Sequence, residues 1–235
     1  LDITESKQAE DSIHVLSQAV EQSPVSVMIT NPEGEIEYVN SAFEQVTGYR
    51  AAEVVGKSPQ LLKSGHTSPK EYERLWKTIS SGGAWRGEFL NARKDGELFW
   101  EHAHIAPVMD ATGRVRHYLA VKEDTTHQKE QEQRILHQAH YDSLTDLPNR
   151  FLSLDRLSQL IKESERDGSM VGVLFLDLDD FKKINDSLGH DTGDRLLVQA
   201  AERLHGTVRD GDTIGRLGGD EFIMLMGGLT DAMHA

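Results

Sequence analysis

Residues 171–176, V-G-V-L-F-L, constrain the fold most. The run is nearly all apolar, too short for a helix and rich in strand formers, so it predicts a strand covered on both faces, at the centre of a mixed α and β sheet. Asp177, Asp179 and Asp180 follow at once, and carboxylates do not end a buried strand without a reason. Two more strand-like runs, 213–217 and 222–226, flank Gly218, Gly219, Asp220 and Glu221. Gly-Gly between such runs predicts a hairpin, because glycine alone takes positive φ without penalty. A tip with two acids, brought beside Asp177, would form a carboxylate cluster at a sheet edge. Such clusters suit Mg²⁺ against phosphates, since Mg²⁺ takes a few hard oxygen ligands plus substrate. Each half alone is common: acids sit at many solvated hairpins, and D-x-D can cap a helix.

Two further runs join the halves, F-K-K-I-N-D-S-L-G-H-D-T-G-D at 181–194 and D-S-L-T-D-L-P-N-R at 142–150. Together they resemble the GGDEF family of diguanylate cyclases, which condense two GTP into cyclic di-GMP and release two pyrophosphates. The resemblance implies a palm-like, ferredoxin-like fold and a site for Mg²⁺ or Mn²⁺. Its ligands would be the Asp177 carboxylate, the Leu178 main-chain carbonyl and Asp220. Asp220 or Glu221 would help remove the ribose 3′ proton, with both left open for that role. Gly218 and Gly219 would let the backbone approach the nucleotide closely. Phe181 and Lys182 stand where the family's backbone amides meet the β- and γ-phosphates. Asp180 departs from the family, which often has an aromatic or basic residue there, and adds negative charge near the triphosphate. Asn185 and Asp194 would read guanine, since a carboxylate accepts both N1–H and N2–H of an edge adenine lacks. As plain structure, Asn185 would cap a turn and Asp194 a helix starting near Thr192. Arg209 and Asp212 form R-x-x-D in register with Gly218, where the family places product inhibition by cyclic di-GMP.

With 235 residues, the chain has room for one large or two ordinary domains. A formal net charge of −14 argues against a nucleic-acid or anionic-membrane face. The absence of cysteine excludes disulfides, thiolate metal sites and cysteinyl-flavin photochemistry. No apolar run is long enough to span a bilayer. Because the sequence starts Leu1-Asp2, upstream residues are expected; the expected location is the cytoplasm, with an upstream anchor left open.

Asp2 to Glu10, D-I-T-E-S-K-Q-A-E, and Asp124 to Glu132, D-T-T-H-Q-K-E-Q-E, form a weak internal repeat. Both resemble the tail that ends PAS domains and starts a signalling helix. Between them a helix is expected at 13–22, strands at 25–30 and 35–40 around N-P-E-G, and a short helix at 42–50 stopped by Gly48. Strands are expected at 85–92, 98–108 and 115–122. An antiparallel sheet with helices on one face follows, and Y-V-N-S-A-F at 38–43 and W-R-G-E at 85–88 also resemble PAS domains. G-K-S-P-Q-L-L-K-S-G at 56–65 and L-N-A-R-K-D-G at 90–96 are similar to flavin-binding sensors of the nitrogen-fixation regulator type. That resemblance implies FAD beside Trp85 and Asn91: an aromatic face against the ring and a carboxamide pairing its edge. As plain structure, Trp85 is a core anchor and Asn91 a strand-end polar residue. Haem would need an axial ligand among His66, His102 and His104, and the latter two alternate on one strand face; haem is not expected.

Residues 125–141 read as a polar helical linker, either a short parallel coiled coil or a solvated connector. Apolar spacing predicts a helix over 146–166 stopped by Gly168, then helices at 181–188 and 192–204. The expected fold class is therefore α+β in segments: 1–12, the tail of a preceding PAS domain; 13–124, a PAS sensor; 125–141, a signalling helix; 142–235, a GGDEF domain whose C-terminal elements lie beyond the sequence. The expected function is a sensor-regulated, homodimeric diguanylate cyclase, with this fragment alone a poor catalyst. The alternative is a catalytically weak module that senses GTP or cyclic di-GMP and regulates a downstream phosphodiesterase domain. A third class is a pure PAS sensor or dimerisation unit.

Overall fold

The computed structural model describes residues 3–230. The part of the expected N-terminal tail at Leu1 and Asp2 lies outside them. The chain divides into two compact units, Leu1–Glu130 and Gln131–Ala235.

The first unit opens with helix α1 (Ile3–Glu21) and strands β1 (Ser26–Thr30) and β2 (Ile36–Val39). Helices α2 (Ser41–Thr47) and α3 (Ala51–Val54), a 3₁₀ turn (Pro59–Leu62) and α4 (Pro69–Ser80) follow, then strands β3 (Trp85–Ala92), β4 (Leu98–Met109) and β5 (Val115–Asp124). The strands form one antiparallel sheet in the order β2-β1-β5-β4-β3. Alternation decides its faces: Trp85, Phe89 and Asn91 of β3 and Phe99, Glu101, Ala103 and Ile105 of β4 are buried. The inner face packs on Phe43, Val54, Leu75 and Ile79. His102 and His104 therefore lie on the outer face, and His66 is exposed.

Asn40 ties the entry of this unit together. Its Oδ1 accepts from the Val27 and Phe43 N–H groups, and its Nδ2 donates to the Val20 and Val25 carbonyls. The asparagine thus caps α2 and fastens the end of α1 to β1 in one step. Residues 69–80 carried no assignment from the sequence, yet form α4. Its signal was present: proline at the first helical position and Tyr72, Leu75, Trp76 and Ile79 at helical spacing.

Helix α5 (Thr126–His140) starts in the first unit and ends in the second. The second unit continues with α6 (Arg150–Asp167), β6 (Met170–Asp177), α7 (Phe181–Leu188), α8 (His190–His205), β7 (Thr213–Gly218) and β8 (Glu221–Leu229). The antiparallel sheet runs β6-β8-β7. On one face Leu176, Phe222, Met224 and Ile214 pack with Phe181, Leu197 and Ala201 of α7 and α8. The other face receives α6 so closely that a Cβ at Gly215 would stand 2.0 Å from Ser153 Oγ, and one at Gly227 2.6 Å from Leu160.

Two expectations are corrected. First, β6 is not covered on both faces among the described residues: it is an edge strand, with Val173, Leu174 and Phe175 39%, 37% and 73% exposed. Its one paired edge belongs to β8, and its apolar content exceeds what the described elements cover. Second, α6 begins at Arg150 rather than Asp146, because Asp146 sits at φ 60 and Asn149 caps the helix through the Leu152 N–H. Residues 142–149 are a turn, not a first helical turn.

Candidate active site and sensor cavity

In the second unit, sheet register brings the acids together. Asp177, the last residue of β6, pairs directly with Glu221, the first of β8. Directly opposed residues of an antiparallel ladder project to the same face. Asp220 lies one residue back, in the turn, and Gly218 is the next rung, opposite Glu221 on β7. Gly218 has φ 142 and Gly219 φ 55. Apart from their own chain neighbours, no described atom lies within 4 Å of a Cβ built on either, so within this chain the backbone conformation is what calls for glycine.

The turn is held from below by Arg216. Its guanidinium donates through Nε (3.0 Å) and Nη2 (2.6 Å) to the Gly219 carbonyl, and through Nη1 (2.8 Å) to Asp142. Asp142 also accepts from the Thr145 N–H and hydroxyl. Burial opposes its charge, but Thr145 and Arg216 outweigh that and hold the carboxyl below the ordinary carboxylate value. The D-S-L-T run thus braces the Gly-Gly hairpin, a role the sequence alone did not assign to Arg216.

Between β6 and α7 the chain reverses at Asp180, which adopts φ 60 and pairs with Lys183 at 2.6 Å. That exposed lysine offsets part of the charge Asp180 brings. The Leu178 carbonyl accepts the Phe181 N–H at 3.2 Å and keeps a second lone pair. Phe181 is buried against α8. Lys182, second in α7, has by position no intrahelical acceptor for its N–H. Asn185 lies over Gly193, where a Cβ would come within 1.9 Å of its Oδ1, and that oxygen is buried without a partner. Asp194 is the next residue, exposed and inside α8 rather than capping it. Arg209 and Asp212 close a turn on each other: the Arg209 N–H donates to the Asp212 carboxylate and the Asp212 N–H to the Arg209 carbonyl. The Arg209 side chain is exposed.

Asp177, Glu221, Asp220 and the Leu178 carbonyl are all hard oxygen donors, and one or two carboxylates plus substrate phosphates are the ordinary Mg²⁺ set. These residues fit the cation. Among the described residues no group of three or more acidic or imidazole side chains stands ready to bind a metal by itself.

The first unit holds a cavity of about 100 Å³ that is partly open to solvent. Tyr72, Trp76, Phe89 and Tyr118 give it aromatic walls, and Asn91 and Lys122 a polar end. The lining fits a flat aromatic group. Trp85 does not line it: the indole stacks on Phe89 at 4.9 Å and lies across Gly87, where a Cβ would be 2.4 Å from the ring. Asn91 donates to Glu101, which also pairs with Lys122 at 2.9 Å. Neither Glu101 nor Lys122 was singled out from the sequence, because a charged residue on a strand reads as solvent-facing.

No helix among the described residues is long and apolar enough to cross a membrane. A PAS domain profile matches residues 24–127, and the profile described as "Diguanylate cyclase, GGDEF domain" matches residues 139–235. Diguanylate cyclase TpbB of Pseudomonas aeruginosa (strain UCBPP-PA14) is 35% identical over 185 residues, 77% of this chain and 37% of that protein. The nitrogen fixation regulatory protein of Klebsiella oxytoca is 36% identical over 116 residues, 49% of this chain and 23% of that protein. The solved structure of an RNA-binding Light-Oxygen-Voltage receptor matches with a TM-score of 0.50 at 32% identity, over 54% of this chain and 37% of that one. The chain thus spans between 23% and 37% of the length of these relatives. Residues 24–127 are a PAS domain, and residues 139–235 belong to the GGDEF domain family of diguanylate cyclases.

Proposed function

We propose that the protein is a PAS-regulated diguanylate cyclase acting in second-messenger signalling in the cytoplasm, with working domain limits of 13–124, 125–141 and 142–235. One observation carries the reading: Asp177 and Glu221 share a rung beside the Gly-Gly turn. Asp177, Glu221 and the Leu178 carbonyl would hold Mg²⁺, with Asp220 either joining them or taking the 3′ proton. When bound, the cation neutralises phosphate charge and lowers the pKa of the attacking hydroxyl. Gly218 and Gly219 leave the face of the turn open to a nucleotide. The Lys182 N–H, at the positive end of α7, is available to the triphosphate.

Asn185 supports guanine as the base, because its buried, unpartnered oxygen lacks a donor that the guanine edge can supply. Asp194 follows Gly193, the residue Asn185 lies over, and would accept the second N–H. Each site holds one GTP while the product joins two, so the active species is a homodimer. Arg209 and Asp212 would bind cyclic di-GMP as feedback inhibitor, and Arg209→Ala is expected to relieve that inhibition. In the PAS domain the aromatic cavity, with Asn91 at its polar end, supports a flavin such as FAD. Trp85 would act there through Phe89 rather than by contact.

The test is turnover of GTP with Mg²⁺ by the protein in its natural length. Cyclic di-GMP is expected, and Asp177→Asn and Glu221→Gln should each lower the rate at least about 100-fold. A folded dimer that binds GTP and yields no product would instead make the domain a nucleotide-sensing module.

A further inference from the structure

Strand β3 lies at the edge of the first unit's sheet, with β4 its one partner strand among the described residues. An edge strand turns every second backbone N–H and C=O outward, and proteins usually shield such groups. Here the shield covers one end. The Leu90 N–H donates to Thr67 Oγ1 at 3.3 Å, the Ser64 hydroxyl donates to the Leu90 carbonyl, and Lys63 bridges to Asn91. Leu90 therefore points its backbone groups outward, and by alternation Arg86 and Glu88 do the same. Both residues are exposed, and among the described residues no strand or isolated bridge reaches them from that side.

The bare stretch is complementary to itself. Arg86 and Glu88 carry opposite charges on the same outer face, with Gly87 between them. The Trp85 indole fills the place a Cβ would take at Gly87, at 2.4 Å, so the midpoint is held to glycine. Antiparallel pairing of two such edges has a two-fold axis, and charge selects where it falls. Centred on Arg86, the axis sets arginine against arginine; centred on Glu88, it sets glutamate against glutamate, and like charges directly opposed are destabilising. Centred on Gly87, it sets Arg86 of each copy against Glu88 of the other. In that register both pairs exchange their outward backbone hydrogen bonds, and the two glycines face each other with no side chain in the way.

We propose that residues 85–89 of β3 pair antiparallel with the same residues of a second copy of the chain, about a two-fold axis at Gly87, joining two five-stranded sheets edge to edge. The inference deepens the reading of the protein as a homodimer and rests on it. Backbone hydrogen bonds supply the attraction, and the Arg86–Glu88 pairs fix the register. The interface also touches the exit helix. Glu88 accepts from Lys129 of α5 at 2.9 Å, and Lys129 sits 4.6 Å over the Trp100 ring. The edge contact and the start of α5 thus share one carboxylate.

The sequence has no cysteine, so Glu123→Cys places a single spin label in the full chain. Glu123 is exposed on the outer face of β5, opposite His102 of β4, which is opposite Glu88 of β3. Strand spacings of about 4.8 Å across a sheet and 3.4 Å per residue along it put the two labelled Cα atoms about 25 Å apart. Double electron–electron resonance should show that distance. In the labelled chain, Arg86→Glu or Glu88→Arg alone should abolish it, because each sets like charges opposite one another. The double variant Arg86→Glu/Glu88→Arg should regain it, as should an equimolar mixture of the two single variants, in which every opposed pair again has opposite signs. Melting temperatures control for folding. Absence of the distance in the labelled parent, its survival in both single variants, or its failure to return in the mixture overturns the proposal. Light scattering separates this outcome from the wider reading. A dimer that lacks the distance refutes this interface and leaves the homodimer standing, and a monomer refutes the interface as well.

Discussion

Asp142 and Arg216 lie 74 positions apart in the chain yet meet at 2.8 Å, and the Gly-Gly turn hangs on that contact. The pairing has a measurable acid signature. A carboxyl whose folded pKa is depressed contributes stability that is fully present above its unfolded value, near ~4, and lost as pH falls through the lower folded value. Asp142 and, in the first unit, Asp124 are both of this kind. Melting temperature should therefore decline below about pH 4, and the Asp142→Asn variant should show a shallower acid limb. Parallel curves for wild type and variant would contradict this. At this scale the sequence was only partly legible. Asp177, Asp220, Glu221, Asn185 and Asp194 stand out because they sit in a dense, spaced pattern. Arg216 and Gly193 do not, because the groups that give them meaning, Asp142 and Asn185, become neighbours only when strands and helices pack. Glu101 and Lys122 were hidden for the opposite reason, since their burial inverts the usual expectation for charged residues.

Elements were easier to read where periodicity is strong. Strand β3 runs over the expected 85–92, and α7 over the expected 181–188, because alternation and a glycine stop define their ends. Element edges set by capping were harder: α8 starts at His190, two residues before Thr192, since Gly189 takes φ 82 and turns the chain there. The start of α5 is another such edge. Asp124 accepts from the Thr126 N–H and from Arg93, and Arg93 also donates to the Val46 carbonyl. The Thr126 hydroxyl in turn accepts the Trp100 N–H. This places the first turn of α5 under control of the sheet that lines the cavity. Asp124→Ala should raise hydrogen exchange of the amides at 126–130 by about five-fold, the equivalent of one lost cap of ~1 kcal/mol. Exchange unchanged within error would show that packing alone holds the helix start.

For the molecule as a whole, α5 is the continuous element that leaves the PAS domain and enters the GGDEF domain. Its last turn is tied to the second unit by Asn149, which donates to the Ala139 carbonyl, and by His137 on Asp146. Regulation through such a helix depends on its phase, about 100° per residue. Inserting seven residues after Glu130 should preserve the response of GTP turnover to the PAS ligand, because seven residues nearly complete two turns. Inserting two should change or abolish it. Equal behaviour of the two insertions would mean that α5 is only a tether. The central claim, that acids on neighbouring strands hold a cation beneath a guanosine triphosphate, has a more direct test. Mn²⁺ bound with a non-hydrolysable GTP analogue reports its ligands by electron paramagnetic resonance. The wild type should form a ternary complex whose Mn²⁺ affinity falls at least about ten-fold in both Asp177→Asn and Glu221→Gln, and Mn²⁺ held equally well by all three proteins would contradict the account.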